Sequence, residues 1–166
     1  MKATEFVAGA LTGGKAWMAG LLADLEDGDL VAVPTTKGGN HPLWVIGHLT
    51  ASEASIVSGM IKGEQPDVPD GWGPLFGMGS QPVADASKYP SKAELLEAFE
   101  KVRAETLELL ARLADTDLDK PSANSPNPEL FGTVGRCLAT LVNHQTFHVG
   151  QIADARRALG RKPAFA

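Results

Sequence analysis

Apolar residues recur three or four positions apart in four separate stretches of the chain, the spacing of one face of an α-helix. The first stretch runs from about Thr4 to Leu25, with Phe6, Ala10, Gly14, Trp17, Leu21 and Leu25 on its apolar face and Thr4 placed to cap its start. Gly9, Gly13, Gly14 and Gly20 each weaken helix propensity there by roughly 1 kcal/mol relative to Ala, so this helix is expected to pack very closely on a neighbour. The second runs from Pro42 to Lys62. A proline suits the first helical position, where its missing N–H has no partner, and Gly63 is a natural stop. Its stripe holds Trp44, Val45, His48, Leu49, Ser52, Ile56 and Met60.

The third runs from about Ser91 to Ala114. Ser91 with Glu94 forms a capping box, Leu95, Phe99, Val102, Thr106, Leu109 and Leu113 face inward, and Glu97, Lys101, Arg103 and Glu108 are expected in water. The fourth runs from Thr133 to Leu159 and stops at Gly160, with Pro163 beyond. Val134, Leu138, Leu141, His148, Ile152, Ala155 and Leu159 make its stripe. Val31 to Val33 could form a short extended piece, but too little surrounds it to make a sheet. The pattern predicts one all-α domain over residues 1–166, built as a four-helix bundle.

The connection between the second and third helices, residues 63–90, holds five of the 11 prolines and five glycines. Loops of such length often lie over a site. Fully extended, it could reach roughly 90 Å, three times the roughly 30 Å of a 20-residue helix. The helices it joins therefore need not run antiparallel.

Composition narrows the class. Apolar residues make up 43% and charged residues 21%, which excludes a disordered chain. Fifteen Lys plus Arg against 20 Asp plus Glu leave a charge of -5, so nothing favours nucleic acid or an anionic membrane as a partner. No run of about 18 apolar residues is present to span a bilayer, and no signal-peptide core precedes the first helix. Cys137 is the single cysteine, which excludes an internal disulfide and suits a cytoplasmic setting.

All four histidines fall in or beside the second and fourth helices. His144 and His148, four apart, share one helical face, with Cβ atoms roughly 5–6 Å apart. His48 lies on the inward stripe about 9 Å into its helix, and His148 about 16 Å from the end of its own, levels that agree to about a turn if the two helices are antiparallel. Three such imidazoles could hold Zn²⁺, Ni²⁺, Fe²⁺ or Co²⁺ and leave a position open for water or a thiol. On spacing alone, three hydrogen-bonded core histidines stand about level with that reading. His41 reads as a helix-start residue rather than a ligand. Gln145 stands where a zincin would carry its glutamate base. Cys137 lies roughly 10 Å from His144 along the axis and reads as a buried thiol, and Trp72 either caps the site or anchors its loop.

The string Asn40-His41-Pro42-Leu43-Trp44-Val45-Ile46-Gly47-His48-Leu49 resembles the start of helix two in the DinB-like (DinB/YfiT-like) superfamily, where a Trp followed by Gly-His-Leu carries the first metal histidine. His144-Gln145-Thr146-Phe147-His148-Val149-Gly150-Gln151-Ile152 resembles the same family's HxxxHxGQ signature, which carries the other two. The resemblance implies an up-down-down-up bundle, often a homodimer, with His48, His144 and His148 binding a divalent metal: Zn or Ni first, Fe, Co or Mn as alternatives. It implies a small-molecule substrate and an S-transferase or isomerase activity that uses a low-molecular-weight thiol such as bacillithiol, mycothiol or glutathione. A metal-dependent hydrolase and a non-catalytic, metal-binding stress-response module are the alternatives. Trp44 and Gln151 are expected to wall or support the site, and Asn143 flanks the motif without an assigned role.

Overall fold

The computed structural model describes residues 1–33 and 39–164. Residues 34–38, the last part of the first predicted connection, lie outside the described residues. Six α-helices follow one another: α1 (Ala3–Leu22), α2 (Pro42–Ala54), α3 (Trp72–Phe76), α4 (Lys92–Arg112), α5 (Pro128–Phe131) and α6 (Val134–Ala158). The four long ones are the four predicted. No strand forms among the described residues, and Val31, the first residue of the piece that could be extended, ends a 3₁₀ turn over Asp29–Val31. None of the helices is long and apolar enough to cross a membrane.

Contacts between side chains set the directions. Gly14 meets Gln145 and the Leu21 carbonyl meets Arg156, so α1 and α6 run parallel. Lys15 pairs with Glu100 while Lys92 reaches the Leu22 carbonyl, so α4 runs against α1. Asn40 bonds Gln151 and His48 meets His144, so α2 runs against α6. The bundle is therefore up-down-down-up, and α2 and α6 have the antiparallel relation that the histidine levels require.

Helix ends follow local chemistry. The Ser91 hydroxyl accepts from the Glu94 N–H, and the Glu94 carboxylate accepts from the Ser91 N–H at 2.8 Å. Thr133 caps α6 through the Arg136 N–H, and Gly63 ends the second long helix at φ +74°, a left-handed conformation that glycine adopts without strain. Thr4 is not the cap of α1. The helix begins two residues earlier, and the Asp115 carboxylate accepts from the N–H groups of both Ala3 and Thr4. A distant acid thus meets the first free N–H groups of the helix, ahead of the predicted cap.

Two predicted faces are corrected. On α1 the buried residues are Thr4, Leu11, Gly14, Met18, Leu21 and Leu22, whereas Phe6 and Trp17 are 60% and 56% exposed. This helix is apolar on most sides, so periodicity alone draws two stripes that share Gly14 and Leu21. Leu11, which lies on the buried stripe alone and whose carbonyl accepts from Arg103 and Gln145, selects between them. On α4, Arg103 is not in water but 1% exposed. It lies on the stripe of Phe99, Thr106 and Leu110, and its charge is met inside the bundle. Its Nε and Nη2 donate to the two oxygens of buried Glu53 at 2.8 and 2.7 Å, Nη1 donates to the Leu11 carbonyl, and Nη2 also reaches the Gln145 side-chain oxygen. One guanidinium therefore ties α1, α2, α4 and α6 together.

Beyond Ala54, α2 continues without a break as a π-helix over Ser55–Lys62, so the predicted length holds but the winding widens. The long connection packs back on the bundle through Trp72 and Phe76, both buried, with rings 5.0 Å apart. Trp72 is a loop anchor.

Candidate metal centre

His48 on α2 and His144 and His148 on α6 converge in the bundle, with one ligating nitrogen from each lying within 4.8 Å of the others. Ring centroids are 4.5–4.9 Å apart in all three pairs. His48 and His148 are buried and His144 is half-buried.

Hydrogen bonds fix which nitrogens face inward. His48 Nδ1 lies 2.6 Å from the Phe76 carbonyl oxygen. A carbonyl only accepts, so Nδ1 carries the proton and Nε2 keeps its lone pair. His148 Nδ1 lies 2.8 Å from Gln151 Oε1, an oxygen that also accepts from Asn40 Nδ2 at 2.9 Å. His148 therefore donates outward and keeps Nε2 bare. Outer acceptors of this kind orient metal-binding histidines.

His144 is the member that a hydrophobic core would not build. Its Nδ1 is buried with no partner, and its Nε2 points at His48 Nε2 from 3.0 Å. Ligand nitrogens on a tetrahedral ion with 2.0–2.1 Å bonds lie about 3.3 Å apart, so little adjustment separates this pair from a ligand pair. Burial pushes His144 down to about 3, with His148 and His48 adding like-charge opposition. It pushes His148 down to about 4, again with His48 opposing, and it lowers His48. All three are neutral at neutral pH, the form that binds a metal. Three neutral imidazoles, two of them with bare inward Nε2 atoms, fit a borderline divalent ion such as Zn²⁺ or Ni²⁺.

Local sequence explains the placement. The indole of Trp44 lies flat on the His48 ring, centroids 4.3 Å apart and planes 12° apart, and its Nε1 donates to Ser80 Oγ. A Cβ at Gly47 would stand 2.3 Å from the Phe76 ring, so glycine there is what lets Phe76 lie under α2 and offer its carbonyl to His48. His41 sits at the helix start, as expected, accepting from the Trp44 N–H, while its Nε2 meets the Val83 carbonyl. It does not join the cluster.

Trp44 and Gln151, singled out from the sequence, both touch site histidines. Phe76, Asn40 and Ser80 were not foreseen as partners. A main-chain carbonyl leaves no mark in residue type, and Asn40 stands in the helix-two string without anything to announce its bond to Gln151. Asn143 is exposed, and Asp154 is exposed and paired with Arg157. Cys137 is fully buried, and burial pushes its thiol up, away from reactivity.

A cavity of about 410 Å³ opens beside His48 and His144. Its walls come from α2 and its π-helical extension, from α5 and α6, and from the connection that carries α3. Among the described residues, no Asp, Glu, Lys or Arg lines it.

A family model described as the DinB superfamily matches residues 11–152. Among solved structures, the chain is similar to a conserved protein from Enterococcus faecalis, with a TM-score of 0.76 and 16% identity, over 97% of this chain and 99% of that one. At that identity the likeness concerns the fold. No curated protein matches the chain.

Proposed function

Because the chain belongs to the DinB superfamily and brings three inward imidazole nitrogens to one point, we propose that it is a metal-dependent enzyme whose divalent ion is held by His48, His144 and His148, with an activity of the thiol-dependent S-transferase type. The observation that carries this is the convergence of the three rings, one nitrogen of each within 4.8 Å of the others, with His48 and His148 turned inward by Phe76 and Gln151. When bound, the ion would supply Lewis acidity at a position that no protein side chain fills, lowering the pKa of a thiol or a water placed there.

The chain's own residues do three things. The Phe76 carbonyl and the Gln151 oxygen hold two rings in the ligating tautomer. Trp44 covers the flat face of His48 and keeps water from it. Burial keeps the imidazoles unprotonated. Beyond the histidines, no side chain lining the cavity could act as a general base toward water. A thiol, with a pKa near 8.5, needs less help than water to reach its nucleophilic form, which supports the transferase over the hydrolase.

The test begins with metal content, measured by mass spectrometry on tag-free protein and on His144→Ala. Near-stoichiometric Zn or Ni in the first and loss in the second is the expected result. Metal-loaded protein is then given 1-chloro-2,4-dinitrobenzene with a panel of thiols. Turnover of esters or amides without thiol would move the assignment to a hydrolase. Metal binding without turnover in either panel would leave a metal-binding module.

A further inference from the structure

We propose that the cavity beside His48 and His144 receives the body of an uncharged, largely apolar molecule, and that Ser52 and Ser55 supply it with side-chain hydroxyl contacts. The proposal rests on the metal-enzyme reading only in making this molecule the substrate.

The cavity follows the helices. Going along α2 from His48, successive turns present Ser52, Ser55 with Ile56, and then Met60, a path on the order of 15 Å. Because α6 is antiparallel, moving back from His144 passes Thr140, and Phe131 of the preceding α5 stands at the same far end. The end opposite the histidines is thus apolar, and Val68 from the long connection helps close the side.

The polar inventory is short. Thr140 Oγ1 already donates to the Leu130 carbonyl at 3.0 Å. Among the described residues, the hydroxyls of Ser52 and Ser55 have no partner, and both lie on the His48 face of the helix. A charged group in the body of the ligand would lose its water and gain no counter-ion from any wall. A neutral apolar body loses nothing there and displaces weakly held water. The glycines at the rim, Gly73 and Gly77, add backbone but no charge.

Two fluorescent probes with the same aromatic skeleton test this: neutral N-phenyl-1-naphthylamine and its anionic sulfonate, 8-anilino-1-naphthalenesulfonate. Both are titrated into the protein as purified and after chelator treatment, with metal content recorded. The neutral probe is expected to bind at least about tenfold more tightly than the sulfonate in the chelator-treated protein. Ile56→Trp, or Met60→Trp should the first variant fail to melt cooperatively, fills the cavity and is expected to weaken the neutral probe about tenfold or more without changing metal content. Ser55→Lys is expected to shift the preference toward the sulfonate. Equal or tighter sulfonate binding to the unmodified protein overturns the proposal, as does neutral-probe binding that the tryptophan variants leave untouched. A protein that prefers the neutral probe but holds no metal keeps this inference and loses the metal-enzyme reading. Metal retained with the sulfonate preferred does the reverse.

Discussion

Gln145 lies so close to Gly14 that a Cβ on the glycine would stand 1.8 Å from the amide nitrogen. The amide cannot swing aside freely, because Arg103 holds its oxygen and the Leu11 carbonyl holds its nitrogen. Neighbouring Gly13 has nothing within 4 Å of the same construction. Two adjacent glycines on one helix should therefore respond oppositely to alanine. Gly13→Ala is expected to stabilise the fold by up to about 1 kcal/mol through helix propensity. Gly14→Ala is expected to destabilise it by about 1–3 kcal/mol despite the same gain. Urea unfolding of the two variants checks the sign of each; a stabilised Gly14→Ala protein would refute the close approach of α1 and α6.

The pair of Arg103 and Glu53 is 1% exposed on both sides. Removing one partner leaves the other charge buried and unmatched. Glu53→Gln or Arg103→Met is expected to lower stability by about 3–5 kcal/mol, whereas the double variant Glu53→Leu/Arg103→Met should recover part of that loss. A double-mutant cycle in urea measures the coupling. Single losses below 1 kcal/mol would mean that water reaches the pair.

Gln151 accepts from both His148 and Asn40. Gln151→Ala frees the His148 ring to turn and is expected to weaken metal binding about 10- to 100-fold, with Asn40→Ala giving a smaller loss. Competition against a chromogenic chelator reads both. A Gln151→Ala protein with unchanged affinity would show that packing alone orients His148.

Acid should destabilise the metal-free protein earlier than its carboxylates alone would. His144 and His148 are held down to about 3 and about 4 in the fold, against an ordinary value near 6.5. Between about pH 6.5 and 4 the unfolded chain therefore binds more protons than the folded one, so stability falls as pH falls through that window. Asp24 and Glu94 are lowered by their Arg156 and Ser91 hydrogen bonds, and their contributions are lost only at lower pH. Urea midpoints at pH 7.5 and 5.0 should differ clearly, and His144→Ala should reduce the difference. No change between those values would mean that the histidines are solvated.

The four long helices and the three converging histidines were legible because each rests on a local period: apolar residues at three and four, two histidines four apart, a proline to start and a glycine to stop. What was not legible depends on contacts between distant segments. Arg103 reads as a surface residue until Glu53, fifty positions away, is known to face it. The exposed side of α1 was chosen wrongly because several of its faces are apolar, and what separates them is the meeting of the Leu11 carbonyl with Arg103 and Gln145. The carbonyl of Phe76 has no sequence signature, although Gly47 beside His48 in the helix-two string marks the room that the Phe76 ring needs.

The segment that carries α3 has a double part in the architecture. It brings Phe76 beneath Gly47 and its carbonyl to His48, and it supplies Val68, Gly73 and Gly77 to the cavity wall. Docking of this strap therefore links the orientation of His48 to the shape of the cavity. A strap loosened from the bundle would free the His48 ring and open the chamber wall at once, so the two losses are expected to appear together.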